Sequence, residues 1–207
     1  MSTASPHTIA LATRNAHKVA ELEEILAPYL PGVQVISARD LDLPEPVEDE
    51  ITFAGNALIK ARQLAAAGYV AVADDSGICV DALGGAPGPF SARWAGKHGD
   101  DTANRRLLLA QLAEVPDRYR GARFHAAAVM VTPNGREVVR EADMPGVILH
   151  EERGEQGFGY DPIFQAEGQT RSNAELSMAE KDAISHRGKA FRALAPIIAA
   201  ELTGTAH

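Results

Sequence analysis

Two adjacent carboxylates, a hydroxyl and a glycine, Asp74-Asp75-Ser76-Gly77, follow directly on the apolar run Val70 to Ala73. The run reads as a short strand, so the acids are expected where that strand ends. Neighbouring carboxylates repel one another, and keeping both ionised costs free energy unless a cation neutralises them. A hard divalent metal is the natural candidate: Mg2+ takes oxygen ligands from one or two carboxylates and leaves room for water and substrate phosphates. The competing reading is structural, since Asp, Ser and Gly are all turn residues and an Asx turn closing a strand has the same composition.

A second stretch is suited to phosphate. Thr8 to Ala12 reads as a strand, and Val19, Leu22, Ile25, Leu26 and Tyr29 carry helical spacing from Lys18 onward. The turn between them, Thr13-Arg14-Asn15-Ala16-His17-Lys18, sits where a helix start presents free N–H groups and the positive end of its dipole. Thr13 and Asn15 could donate or accept hydrogen bonds there and Lys18 could supply a point charge; plain N-capping with a solvated Lys18 explains the same residues. Neither G-x-x-x-x-G-K-[ST] nor G-x-G-x-x-G occurs in the chain.

Further along, Gly154-Glu155-Gln156-Gly157-Phe158-Gly159-Tyr160-Asp161-Pro162 interleaves glycines with two rings and an acid. Such a loop suits a flat ligand, with an aromatic stacked on a base and Asp161 accepting from ring N–H groups. A buried aromatic turn before a strand at Ile163-Phe164 fits equally well. Ser177-Met178-Ala179-Glu180 is a capping box, so a helix is expected from Met178, with Lys181, Ser185, His186 and Arg187 on its early turns and an interruption at Gly188. Lys181 and Ser185 stand i, i+4 and can converge on one side; a basic, solvated face is the alternative.

These groups need elements to position them. Val33 to Ser37 is expected as a second strand. The acidic, proline-broken loop Leu43 to Glu50 leads into a helix over Thr52 to Ala67, on which Asn56 and Lys60 are i, i+4 neighbours. One acid of that loop is placed to complete a metal site with Asp75 if the helix folds back, although acidic runs are usually solvated. Gly84 to Pro89 is loop, Asp101 to Leu112 helix, and Arg123 to Thr132 with Glu137 to Asp143 flank Asn134-Gly135, a strong hairpin signal. That pair reads as antiparallel sheet in a second lobe.

With 207 residues the chain is expected to be one domain, 1–207, with a second lobe over roughly 115–170. A net charge of -8 argues against nonspecific nucleic-acid binding, which needs a basic footprint. The chain has no apolar run of about 18 residues, and Met1 to His7 lacks a signal-peptide pattern, so no membrane partner and a cytoplasmic address are expected. The single cysteine, Cys79, reads as a packed small hydrophobe.

Taken together, T-x-N-x-x-K at Thr13 to Lys18, T-F-x-x-N-A-x-x-K-A at Thr52 to Ala61, A-D-D-S-G-x-x-V-D-A-L-G-G-A-P-G at Ala73 to Gly88, S-A-R-W-A-G at Ser91 to Gly96, G-F-G-Y-D-P-I-F at Gly157 to Phe164 and A-I-S-H-R-G at Ala183 to Gly188 resemble the inosine/xanthosine triphosphate pyrophosphatase family. The resemblance implies an α/β fold with an elongated mixed central sheet flanked by helices, two lobes around a nucleotide-binding cleft, a homodimer, and Mg2+-dependent hydrolysis of dITP, ITP and XTP to monophosphate and pyrophosphate, cleansing the nucleotide pool. It implies that the turn Thr13, Arg14, Asn15, Ala16, His17 and Lys18 holds the triphosphate with Lys60. It also implies that Asp75 is general base and metal ligand, that Glu48 is the second metal acid, and that Ser76 touches substrate while Asp74 tunes Asp75. Phe158, Gly159, Tyr160, Asp161, Lys181, His186 and Arg187 are implied to form the base pocket. The chain departs from the family's habit at Arg14, where Gly or Ser is common, at Glu50, where Gly is usual, and at Gly55, where Glu often stands; Glu45, Asp49 and Glu50 crowd Glu48. A pyrophosphatase for another modified base, and a nucleotide-binding module without turnover, are the competing functions.

Overall fold

The computed structural model describes residues 7–41, 43–44 and 46–204. Strands β1 (Thr8–Leu11), β2 (Gln34–Ser37), β3 (Val70–Val80), β4 (Gly121–Val131), β5 (Glu137–Ile148) and β6 (Phe164–Ala166) form one sheet in the order β2-β1-β3-β4-β5-β6. Helices α1 (Ala16–Leu26), α2 (Phe53–Ala66), α3 (Asp101–Gln111), α4 (Met178–Ile184) and α5 (His186–Thr203) accompany it. Parallel pairing of β1 with β2 and β3, and antiparallel pairing of β5 with β6, make the sheet mixed. The chain forms two compact units, one of Met1–Asp75, Ala127–Glu141 and Arg187–His207, the other of Ser76–Ala126 and Ala142–His186. None of the described helices is long and apolar enough to cross a membrane.

In the first unit β1 is flanked by parallel neighbours, and its Ile9, Ala10 and Leu11 are fully buried, as expected of a strand covered on both faces. The connection through α1 runs outward from β1 to β2, and the one through α2 runs back from β2 to β3. Right-handed crossovers in opposite directions put the two helices on opposite faces of the sheet. Ala57, Ala61, Leu64 and Ala65 of α2 pack with Ala10, Ala71, Ala73, Val129 and Val131, which marks the odd-numbered face of β3 as the α2 side.

The second unit is held by Ile78, Val80, Leu108, Leu112, Phe124, Met144, Ile148, Ile163 and Phe164. Phe124 meets Phe164 edge to face at 4.8 Å between centroids. Gly146 lies opposite Ala166, and a side chain there would collide with the Gln165 carbonyl at 2.2 Å, so only glycine fits the register. Arg120, 2 % exposed, donates to the carbonyls of Ile148, Leu112 and Leu149. A cation buried this deeply is tolerated because its N–H groups are satisfied.

Three expectations need correction. The strand from Val70 does not stop at Ala73: it runs to Val80 and carries Asp74, Asp75, Ser76 and Gly77 inside it. Asp is a poor strand residue, yet propensity yields to tertiary partners and packing. The basic helix breaks at Ser185, extended at φ -61 and ψ 140, while Gly188 lies within α5. Ser competes for backbone hydrogen bonds and favours helix ends, whereas one glycine inside a helix costs only about 1 kcal/mol. Lys181 and Ser185 are therefore not partners on one continuous helix. Finally, Ile163 belongs to a 3-10 turn and the last strand begins at Phe164.

Candidate active site

Alternation along β3 separates the paired acids. Asp74 points to the α1 side, where Lys18 Nζ lies 2.9 Å from both carboxylate oxygens and Arg187 Nε 3.0 Å from Oδ2. Burial alone would raise the Asp74 carboxyl, but Lys18 and Arg187 outweigh it and hold it well below the usual carboxylate range. Burial also lowers the Lys18 ammonium, against the pull of Asp74. The expectation that Asp74 and Asp75 share a cation is thus corrected: Asp74, 3 % exposed, is neutralised by two protein cations. Lys18 is likewise not a solvated surface lysine.

Asp75 points to the α2 side. Asn56 Nδ2 donates to its Oδ2 at 3.2 Å, and Lys60 Nζ stands 3.7 Å from Oδ1 and 3.3 Å from Glu48 Oε1. Burial raises the Asp75 carboxyl, and Glu48 pushes in the same direction while Lys60 and Asn56 oppose it. Asn56, 1 % exposed, also accepts the Glu50 N–H through Oδ1 at 3.1 Å, so one amide ties the acidic loop to Asp75. α2 packs against the sheet beside β3, the condition named for a loop acid to reach Asp75, and so brings Asn56, Lys60 and Glu48 to this carboxylate. Glu45 lies outside the described residues. Among the described residues no three His, Cys, Asp or Glu side chains cluster as a metal cage. Asp75 and Glu48, on either side of the Lys60 ammonium, are the residues here that could hold a hard divalent cation, which needs few protein ligands.

Glu50 and Gly55, both departures from the family's habit, meet in space. A side chain at Gly55 would reach Glu50 Cβ at 2.8 Å and both Glu50 Cγ and Thr52 Oγ1 at 2.9 Å, so the Glu50 side chain and the N-cap hydroxyl together occupy the volume that residue 55 would need.

The turn before α1 caps itself. Thr13 Oγ1 accepts the Asn15 N–H at 3.1 Å and Asn15 Oδ1 the His17 N–H at 2.9 Å, making Asn15 the N-cap. Thr13 is half-buried; Arg14, Asn15, Ala16 and His17 are exposed.

In the second unit the aromatics of the glycine-rich loop divide. Tyr160 is buried, its hydroxyl donating to the Ser91 carbonyl at 2.8 Å, whereas Phe158 is 63 % exposed. Asp161, 2 % exposed, accepts from the Phe158 N–H at 2.9 Å, Asn173 Nδ2 at 3.3 Å and Lys181 Nζ, and that ammonium lies over the Phe158 ring at 4.9 Å. The carboxylate expected to meet ring N–H groups is therefore engaged by protein donors on both oxygens. His186 is stacked on Phe124 at 5.1 Å and Ser76 is half-buried. Lys181, His186 and Arg187 each contact a different partner: Asp161, Phe124 and Asp74. Asn173, Asp101 and Arg105, which also hold this loop, carry no motif; only the i, i+4 spacing of the last two hints at them. A cavity of about 590 Å³ in the same unit, lined by Asp81, Glu114, Arg118 and Tyr119 among others, contains none of the residues singled out above.

A family profile described as the Ham1 family matches residues 9–197. The chain belongs to the Ham1 family. Its resemblance to a dITP/XTP pyrophosphatase from Streptomyces coelicolor is 57 % identity over 190 residues, covering 91 % of this chain and 95 % of that protein. The protein of the same name from Mycobacterium tuberculosis is 51 % identical over 197 residues, covering 94 % and 96 %. Among solved structures, a nucleoside-triphosphatase / dITP/XTP pyrophosphatase from Mycobacterium abscessus matches with TM-score 0.78 and 50 % identity, over 91 % of this chain and 99 % of that one. A HAM1 protein from Coxiella burnetii matches with TM-score 0.85 and 39 % identity, over 92 % and 98 %. The kinship expected from the six stretches, and the mixed α/β fold with it, are borne out.

Proposed function

We propose that this chain is a nucleoside triphosphate pyrophosphatase that hydrolyses deaminated purine nucleotides, dITP, ITP and XTP or dXTP, to the monophosphate and pyrophosphate. The observation that carries the reading is Asp75: an acid raised by burial, steadied by Asn56 and placed between Lys60 and Glu48, in a chain whose relatives bear the name dITP/XTP pyrophosphatase.

Hydrolysis between the α- and β-phosphates needs an in-line water and compensation of charge on the departing pyrophosphate. Asp75 is the general base in this reading, its carboxylate steadied by the Asn56 amide and flanked by Lys60 and Glu48. Lys18 and Lys60 meet the phosphate tail, with the exposed Arg14 to His17 turn beside the start of α1. Mg2+, held by Asp75 and Glu48, supplies Lewis-acid neutralisation of the tail when bound. Phe158 offers a face for the base, and Lys181 a donor for the 6-oxo acceptor that hypoxanthine and xanthine share and adenine lacks. Adenine presents an amino donor where that acceptor stands, so Lys181 makes no bond to it, and a difference of this kind lets a polar site discriminate. A homodimer that clears such nucleotides from the pool is part of the same proposal.

The test is a product-resolved panel of dITP, XTP, dGTP, dATP and dUTP, run with Mg2+ and with chelator. Pyrophosphate release from dITP and XTP, lost with chelator, is expected. Orthophosphate release, a preference for dUTP, or tight binding of dITP without turnover would overturn the assignment.

A further inference from the structure

We propose that Asp101 and Arg105, one turn apart on α3, are positioning residues that hold the N–H and the carbonyl of Gly159 and so fix the Phe158 ring for the base. The inference rests on the assignment of Phe158 to Asp161 to the base and adds two residues that neither the motifs nor the family's name point to.

Asp101 Oδ2 accepts the Gly159 N–H at 2.8 Å, and Arg105 NH1 donates to the Gly159 carbonyl at 2.9 Å. Residues four apart on a helix share a face, so the two side chains together reach the two peptide groups that flank Gly159. Asp101 is not needed to cap α3: Asp100 does that, accepting the Ala103 N–H at 3.1 Å. Arg105 NH2 is fixed in turn by Glu152 Oε2 at 3.2 Å, while its buried Nε has no hydrogen-bond partner. The guanidinium thus leaves one N–H unsatisfied while its outer nitrogens are engaged, a cost expected only where those bonds matter.

The loop needs such a grip. Gly154, Gly157 and Gly159 all have positive φ, +79, +76 and +59, and glycine loses the most freedom on ordering. Tyr160 is tied through its hydroxyl to Ser91 and Asp161 through its carboxylate to Asn173 and Lys181. Gly159 has no side chain to tie, and Asp101 and Arg105 hold its backbone instead. With them the segment from Gly159 to Asp161 is fixed and the Phe158 ring projects from a rigid base. Without them the ring must be ordered each time substrate binds, which weakens binding while leaving the chemistry at Asp75 alone.

The experiment compares full-length wild type, Arg105→Leu, Arg105→Lys, Asp101→Asn and Phe158→Ala in dITP hydrolysis and in hydrogen exchange of the Gly159 and Tyr160 amides. Arg105→Leu should raise KM about tenfold, roughly the worth of one charge-assisted hydrogen bond, with kcat within about twofold and faster exchange at Gly159. Arg105→Lys, which keeps one donor, should fall between, and Asp101→Asn, which keeps an acceptor oxygen, should lie near wild type. That graded order carries the test even if Arg105→Leu folds poorly. An unchanged KM and unchanged exchange in Arg105→Leu, alongside a raised KM in Phe158→Ala, overturns the grip and spares the base assignment. If neither substitution moves KM, the base assignment fails and the grip's part in binding fails with it.

Discussion

Asp74 and Asp75 are joined by one peptide bond and face opposite sides of the sheet, and their environments differ accordingly. On the α1 side Asp74 is sealed between Lys18 and Arg187, with its carboxyl held far down. On the α2 side Asp75 has one amide, one ammonium at longer range and a second carboxylate sharing that ammonium, and its carboxyl is pushed up. The first is saturated and has nothing left to offer a substrate; its work is to hold two cations in place. The second is under-neutralised, which is costly for a structural acid and useful for one that takes a proton or a metal. The same residue type, one position apart, thus serves opposite ends because a strand alternates its faces.

The sharpest way to break the comparison is to remove each charge in turn. Asp75→Asn should lower kcat for dITP by about a thousandfold, within the usual span for a general base, while the thermal midpoint holds or rises because the buried charge was disfavoured there. Turnover within tenfold of wild type, or a clear loss of stability, would remove the distinction. Asp74→Asn should act first on the fold, destabilising it by about 3–5 kcal/mol because two cations lose their counter-charge. The sign with pH follows from the lowered carboxyl: Asp74 binds its proton later in the folded chain than in the unfolded one. Its stabilisation is therefore fully present above the unfolded pKa of about 3.9 and is lost progressively as pH falls from there through the much lower folded pKa. Urea unfolding at pH 7 and pH 3 should show the gap between wild type and Asp74→Asn shrinking at the lower pH; a gap that stays constant would mean the ion pairs do not carry it.

Much of this was legible before the structure. The strand, turn and helix around Thr13 to Lys18, the helix placing Asn56 one turn from Lys60, and the Asn134-Gly135 hairpin all follow from period and turn chemistry, and six motifs in order pointed to the family. What stayed hidden depends on neighbours in space. Strand propensity gave no reason to continue β3 through two aspartates, so their opposite orientations were not visible. The break at Ser185 turns on one residue's ψ, which a nearby Gly188 disguised. The grip on Gly159 is a backbone contact from residues some fifty positions earlier, and a peptide group leaves no mark in a motif.

The smallest expected effect sharpens the α2 side of the comparison, where carboxylates are gathered and not neutralised one by one. Gly55→Glu alone must displace the Glu50 side chain from the first turn of α2, since its Cβ would stand 2.8 Å from Glu50 Cβ, and overpacking of this kind costs about 1–3 kcal/mol. It also adds a further negative charge close to Glu50, on the turn whose loop Asn56 ties to Asp75. Pairing it with Glu50→Gly removes the two Glu50 contacts and restores the charge, leaving Thr52 Oγ1 at 2.9 Å, so the double variant should recover part of the loss in stability and turnover. A double-mutant cycle on unfolding free energy and dITP hydrolysis measures this, with a coupling of about 1 kcal/mol or more expected for residues in contact. Strictly additive effects would mean that Glu50 and residue 55 do not compete for the same volume.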